Sequence, residues 1–439
     1  MLNEDFKRKY TEIFGDRADD FFASLTRDRY KHIRIARREG VDYLSELTGL
    51  GIQTEKITET VYRVTDGEDR LTDTIGFQTG GFYIMNPSSV HTADVFCSLM
   101  PEYPYILDVS SAPGGKTCAI ADNLRNHCAI IANEPSNKRL RSLQYNLEKY
   151  GAYSVRTISM DGRSLHKFFN GFFDGILLDA PCSNENKIGR NKTVNAEWSQ
   201  ELAERMAKLQ KEIATSAFHG LKPGGVMVYS TCTFSIEENE EVVRHLLDTQ
   251  DCELADINRG ENIKGISGDS EVDDKVVRFL PHMDEYDGFF IAAIRKKGEP
   301  STGGTYTTFK KTPEIDKFFV DFPDCAEVYE KGGSFYLTTR MDRCVNFSRN
   351  GIMLFKRPGE LTSQALWQLG SMMDKDMITK VSYEDAQRYM KGFDIDMPSD
   401  YHGNSIYYET LPVGMVKSVQ GMLKNKLDRY FLYGKNIEW

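Results

Sequence analysis

The chain has 439 residues, 40% of them hydrophobic and 27% charged, and a formal net charge of −10. That length predicts two or three domains rather than one core, and the acidic balance argues against a nonspecific nucleic-acid coat while leaving room for a local basic face. No apolar run approaches the roughly 20 residues that cross a bilayer, the start "MLNEDFKRKY" lacks a signal-peptide core, and the eight cysteines form no C-x-x-C pair, which argues against zinc and a thioredoxin-like site and predicts reduced thiols in a cytoplasm.

Residues 1–75 read as a mostly helical segment, with apolar residues at helical spacing in "NEDFKRKYTEIF" and "DRADDFFASL". "RDRYKHIRIARR" (27–38) then offers Arg27, Arg29, Lys31, Arg34, Arg37 and Arg38 against one acid, and its "HIRIA" fits a short strand. From 103 the pattern alternates. "YILDV" (105–109), "AIIANE" (129–134), "SVRTISMD" (154–161), "FDGILLDA" (173–180) and "VMVYST" (226–231) read as strands, separated by amphipathic helices; "VVRFLPH" and "GFFIAAIRK" (288–296) close the unit. Strands alternating with helices at this spacing predict an α/β domain with a doubly wound, Rossmann-like parallel sheet over 76–300. "KKGEPSTGGTYT" (296–307) reads as a linker. Two small α+β modules are expected beyond it, at 308–375 and 376–439.

Ligands of open parallel sheets bind beyond the carboxyl ends of the strands. After the first strand comes "DVSSAPGGKT", a small-residue loop with Gly114, Gly115 and Lys116, neither G-x-G-x-x-G nor a Walker loop. Glu134 follows the second strand, where a carboxylate can accept both hydroxyls of a ribose. Asp161 follows the third and suits an adenine amino group. Asp179 and Cys182 follow the fourth, and Cys232 ends the fifth. Each acid alone reads as a helix cap or a solvated strand end; successive strands each ending in one read as a nucleotide-type site.

"SSAPGGKT", "ANE", "MDGR", "DAPCS" and "YSTCT…EEN", in this order from about residue 30 to 296, resemble the Sun-type (Nol/Nop/Sun) family of RNA 5-methylcytosine methyltransferases. "PVGMVKSVQGMLKNKLDRYF" (412–431) is similar to the end of the bacterial RsmF-like branch, which carries a C-terminal PUA-like RNA-binding module. The resemblance implies S-adenosylmethionine held by Ala112, Pro113, Gly114, Gly115, Lys116, Glu134, Arg139, Asp161 and Asp179. It implies methylation of cytosine in small-subunit (16S) ribosomal RNA. It implies RNA contacts from 1–75 and from a PUA-like module at 376–439. A cytoplasmic monomer with no metal is expected.

Carbon 5 of cytosine is too weak a nucleophile to take a methyl group from a sulfonium unless a thiolate first adds to carbon 6. The proton on carbon 5 must afterwards leave to a base before the thiolate departs. The resemblance gives attack to Cys232, release to Cys182, the ring nitrogen to Asp179, and positioning of the base and electrostatic help for the thiol to Lys116. Cys97, Cys118, Cys128 and Cys252 read as small buried hydrophobes. The target base must be unstacked into the cleft. Lys187, Arg190 and Lys192 in "NENKIGRNK" suit the flanking phosphates. Arg340, Arg343, Arg349, Lys356 and Arg357, interleaved with Phe347 and Phe355, suit RNA backbone and bases. The same chemistry on transfer RNA, small-molecule methylation and a non-catalytic ribosome-assembly role are the competing readings; the paired cysteines argue against the last two.

Overall fold

The computed structural model describes residues 2–257, 263–304, 312–342 and 346–433. Arg343 lies outside the described residues, as does the end of the expected linker. The chain opens with two short helices, Glu4–Phe14 and Ala18–Ser24. An antiparallel sheet of four strands follows: β1 (His32–Ile35), β2 (Gln53–Lys56), β3 (Val61–Asp66) and β4 (Phe82–Ile84), in the order β2-β3-β1-β4. The expected mostly helical segment is therefore interrupted by strands, with further helix only at Tyr43–Gly49 and a short turn at Glu68–Asp73, and its boundary at 75 falls too early, because β4 pairs with β1. The signal was weak because β2 is a polar edge strand, half-buried at one position only, and carries no alternation of apolar side chains.

The basic run at 27–38 is largely tied off. Arg34 is buried and pairs with Asp122 at 2.7 Å. Arg29 pairs with Asp287 at 3.2 Å. Arg37 grips Glu59 with two bonds of 3.0 Å. Arg38 donates to the carbonyls of Thr79 and Gly80.

The central sheet contains β5 (Tyr105–Asp108), β6 (Ala129–Asn133), β7 (Val155–Ile158), β8 (Phe173–Asp179), β9 (Leu221–Thr231), β10 (Cys252–Ala255), β11 (Val277–Phe279) and β12 (Phe289–Lys296). The order is β10-β12-β9-β8-β5-β6-β7, with β11 on β12. Strands β5 to β9 run parallel, and β12 returns antiparallel to β9. Buried central strands read as continuous apolar runs, and β8 is buried from Phe173 to Leu178. Two of the flanking helices, Asn137–Lys149 and Gln200–Phe218, start on side-chain caps: Ser136 accepts from Arg139 N and Ser199 from Leu202 N. Strand order reverses between β5 and β8, so their carboxyl ends flank the switch point where such sheets bind ligands.

The C-terminal part adds a three-stranded sheet of β13 (Ala326–Lys331), β14 (Ser334–Thr339) and β16 (Ile352–Phe355). Between them β15 (Arg349–Asn350) pairs with β7, so this module extends the central sheet by one strand. Thr339 Oγ1 donates to the Cys128 carbonyl at 2.8 Å, and Arg349 donates to the Gln144 carbonyl at 2.8 Å and pairs with Glu148. A second sheet follows, β17 (Ile378–Lys380), β18 (Ile395–Asp396), β19 (Ser405–Tyr408), β20 (Leu411–Val419) and β21 (Met422–Asn425), in the order β17-β19-β20-β21-β18. The helix Ser363–Leu369 joins the two modules: Leu366 and Leu369 share a core with Leu354, Tyr407 and Met415, and Trp367 donates to the Val413 carbonyl at 2.8 Å. No described helix is long and apolar enough to cross a membrane.

Two of the expected RNA contacts are corrected by this packing. Arg349 is engaged with Glu148 in the seam with the central sheet, and Phe355 is buried in the module's core. Phe347 packs against the central core, with the Arg156 guanidinium 5.7 Å from its ring. Arg340 pairs with Asp342 at 3.0 Å. Lys356 is half-buried, with its ammonium 3.5 Å from Asp428. Arg357 is exposed.

Candidate active site

A cleft of about 750 Å³ opens at the carboxyl ends of β5, β6, β8 and β9. Ala112, Lys116, Glu134, Arg139, Asp161, Asp179, Cys182 and Cys232 all line it. Of the expected loop residues, Pro113 and Gly115 face an adjoining smaller cavity instead. Gly114 turns the chain behind the loop at φ +108°, which a side chain rarely adopts, with Leu143 Cδ1 3.0 Å from where a Cβ would stand.

Glu134 anchors one end of the cleft. It is 1% exposed. Its Oε1 accepts from Ser136 N at 2.9 Å. Arg139 Nη1 stands 3.1 Å from Oε2 without hydrogen-bond alignment, so this buried oxygen keeps an unused acceptor site. Arg139 Nη2 also donates to the Ala112 carbonyl at 2.7 Å, fastening the small-residue loop to the second strand. Asp161 caps the short helical turn Gly162–Lys167 and pairs with Arg163 at 2.6 Å, which holds its carboxyl below the usual range. Asp108, at the end of β5, lies behind the cleft. Burial pushes it up to about 6, and Thr117 Oγ1 donates to it at 2.6 Å.

The two thiols sit at the other end. Cys182 Sγ and Cys232 Sγ are 3.3 Å apart, both free and half-buried. Asn184, in the left-handed conformation at φ +56°, bridges them: its Nδ2 donates to the Cys182 carbonyl at 3.0 Å, and Cys232 Sγ lies 3.4 Å from its Oδ1. The hydrogen bond to Cys232, and then burial, push the Cys182 thiol well up. Lys116 is engaged elsewhere, with Asp179 Oδ2 at 2.7 Å and the Phe289 ring 4.9 Å away. Asp179 Oδ1 accepts from Ser230 Oγ at 2.8 Å. Lys187 lines the cleft, Arg190 pairs with Asp287, and Lys192 is exposed beside it.

Other residues line the cleft that sequence reasoning gave no role, among them Asn86, Asn184, Asp287 and Phe289. Asn184 and Phe289 adjoin recognised motifs and could have been found there. Asn86 and Asp287 share a hydrogen bond of 3.1 Å across 201 residues, which no local pattern announces.

The 16S rRNA methyltransferase RsmB/F family model matches residues 98–295, and the methyltransferase RsmF PUA domain model matches 378–433. Ribosomal RNA small subunit methyltransferase F of Vibrio campbellii is 30% identical over 399 residues, spanning 84% of this chain and 82% of its own. The protein of the same name from Pectobacterium atrosepticum is 30% identical over 448 residues, spanning 94% and 91%. Among solved structures, a methyltransferase homolog protein from Pyrococcus horikoshii has a TM-score of 0.58 at 29% identity, over 66% of this chain and 94% of its own. NSun6 from Pyrococcus horikoshii, at 24% identity and a TM-score of 0.59 over 67% and 98%, has the same fold. Both the sheet that builds the cleft and the sheet at the C-terminus thus have their counterparts in one group of enzymes, and the chain belongs to the RsmB/F family of 16S rRNA methyltransferases.

Proposed function

We propose that the protein methylates carbon 5 of a cytosine in small-subunit ribosomal RNA, with S-adenosylmethionine as donor, through a transient bond between Cys232 and the base. The observation that carries the reading is the pair of free thiols 3.3 Å apart beside the Lys116–Asp179 ion pair. The donor fits the chain's own groups. The unused acceptor on buried Glu134 suits ribose hydroxyls, Asp161 suits an adenine amino group, and Arg139 fastens the loop Ala112–Lys116 that would cover the rest. When bound, S-adenosylmethionine supplies an electrophilic methyl group.

The residues divide the remaining work. Cys232 Sγ attacks carbon 6 as a thiolate, forming a carbon–sulfur bond, and the displaced electron pair makes carbon 5 nucleophilic. As the thiolate adds, the carboxylic acid of Asp179 gives its proton to ring nitrogen 3, which neutralises the charge brought to the ring; the carboxylate left behind is held by Lys116 and Ser230. After methyl transfer, Cys182 removes the proton from carbon 5, the double bond re-forms, and Cys232 leaves as a thiolate. The main cause that keeps Cys182 protonated is Cys232 itself. Once Cys232 is bonded to carbon, that first cause is lost and only burial and Glu238 still favour the thiol, so Cys182 becomes easier to ionise at the stage that needs a base. Lys187, Arg190 and Lys192 flank the cleft for phosphates, and the C-terminal PUA domain for RNA. One chain carries every group used, so a monomer suffices; an enzyme acting on bacterial ribosomal RNA works in the cytoplasm.

The test is a pair of variants. Cys232→Ala should bind RNA reversibly and methylate nothing. Cys182→Ala should accumulate a protein–RNA adduct that survives denaturing electrophoresis and needs cytosine at the target. An adduct in Cys232→Ala, or none in Cys182→Ala, would overturn the division of roles. Bisulfite mapping of total RNA with and without the gene identifies the target, and methylation appearing on transfer RNA alone would overturn the ribosomal reading.

A further inference from the structure

Beneath the two thiols lie two wholly buried carboxylates that the chemistry above leaves unused, Glu185 and Glu238, both 0% exposed. Glu185 is three residues after Cys182. Its Oε2 accepts from Thr233 Oγ1 at 2.7 Å and Phe234 N at 2.9 Å, the two residues after Cys232. Its Oε1 accepts from Trp198 Nε1 at 2.7 Å. The remaining donor comes from far away in the chain. Tyr10 Oη, on the helix Glu4–Phe14, donates to Oε2 at 2.6 Å. Glu238 makes a parallel link: its Oε2 accepts from Ser183 N at 3.0 Å and Gln210 Nε2 at 2.8 Å.

Hydroxyls join the two acids: Thr233 Oγ1 donates to Glu185, Ser183 Oγ donates to Glu238 Oε1, and the two hydroxyl oxygens are 2.9 Å apart. Burial, and then the neighbouring Glu185, raise Glu238 to about 7. Tyr10 closes the Glu185 end of this chain.

We propose that Tyr10 and Glu185 are positioning residues for methyl transfer, the N-terminal helix setting the spacing of Cys182 and Cys232 by closing the buried hydrogen-bond chain that joins their loops. The inference rests on the reading of the two thiols given above. They act on adjacent ring atoms, and misplacement by about 1 Å costs on the order of 10²-fold in rate. The ring of Tyr10 packs on Phe6, Phe21 and Phe234, so its hydroxyl is the polar tip of an otherwise apolar contact. The first helix thus belongs to the scaffold of the active site, whatever it does for RNA.

The test uses the full chain. Tyr10→Phe keeps the ring and removes the donor. Its kcat is expected to fall about 10- to 100-fold, with KM for RNA unchanged within about twofold. Alkylation of Cys232 by iodoacetamide at neutral pH should slow about threefold or more, because a displaced Cys182 no longer hydrogen-bonds the thiolate. Leu71→Ala loosens the separate core of the N-terminal sheet, away from Tyr10; it should lower the thermal midpoint and leave kcat and alkylation as they were. Tyr10→Phe with parental kcat and alkylation would overturn the proposal, as would Leu71→Ala reproducing both losses. The alkylation assay needs no RNA. A slowed Cys232 in Tyr10→Phe would support the clamp even if Cys182→Ala formed no adduct and the assigned roles fell.

Discussion

Strand β8 carries an aspartate near each end, and the two have opposite surroundings. Asp174, at the amino end, is buried and fully used: it accepts from Tyr105 N and Lys222 Nζ, each at 2.7 Å, and from Ser301 Oγ. Asp179, five residues on, is one third exposed and faces the cleft with one lysine and one serine on it. An acid whose acceptor sites are all filled by the fold stabilises; an acid left with capacity at the mouth of a cleft can act on something else. The same contrast separates Arg349, in the seam between modules, from exposed Arg357 eight residues later in the same module.

The contrast breaks or holds most visibly in the two aspartates. Asp179→Asn should cut kcat by about 10²–10⁴-fold and change stability by no more than about 1 kcal/mol, since its ion pair is partly exposed. Asp174→Asn should do the reverse, costing about 2–4 kcal/mol by leaving Lys222 without a countercharge while the folded fraction keeps its kcat. Denaturant titration and single-turnover methylation on both variants decide it. Equal loss of activity in the two would end the distinction between the ends of the strand.

Glu134 sharpens the comparison from the cofactor side, because it is buried like Asp174 yet retains an unused acceptor oxygen. Glu134→Ala should lower S-adenosylmethionine affinity by about one to two decades, or roughly 1.5–3 kcal/mol. Unchanged binding in calorimetry would return Glu134 to the purely structural group.

Glu46, in the N-terminal region, is buried and accepts from Ile75 N at 2.6 Å and Gly76 N at 2.8 Å, and burial raises it to about 7. A carboxyl raised in the folded state is protonated there while its unfolded counterpart, near its ordinary value of about 4.3, has ionised. Stability should therefore fall as pH rises from about 4.3 to about 7, by up to about 1.4 kcal/mol per pH unit for this group, and level off above. Glu46→Gln should remove that slope from urea midpoints measured between pH 5 and 7. A parallel profile in parent and variant would show the carboxyl ionising normally in the fold.

The smallest effect is expected at the two arginines. Arg357→Ala should weaken RNA binding a fewfold and reduce the slope of log affinity against log salt by about 1, without changing the thermal midpoint. Arg349→Ala should lower the midpoint and leave the salt slope alone. Filter binding at several salt concentrations separates the two.

How much of this was legible in the chain follows from the range of the forces involved. The parallel sheet and the residues at its strand ends were readable because each sits within a few positions of an apolar run, and a buried strand must announce itself by such a run. Cys182, Cys232, Asp179, Glu134 and Asp161 were found for that reason, and all line the cleft. The N-terminal sheet was missed beyond "HIRIA", since β2 and much of β3 face solvent and only pairing specifies them. Arg349 and Phe355 were misread as surface groups because a cation among aromatics has the same local pattern in a seam as on a surface.

The amino-acid sequence by itself determined the class of chemistry: which thiols and acids exist, and that each stands at a strand end, where a doubly wound sheet gathers its ligands. Only the tertiary structure decided how they are tuned. The 3.3 Å between the sulfurs, the filling of Asp174 but not Asp179, and the reach of Tyr10 to Glu185 across 175 residues depend on hydrogen bonds between segments remote in sequence. Such bonds act over about 3 Å, and no local pattern records which distant donor will arrive within that distance.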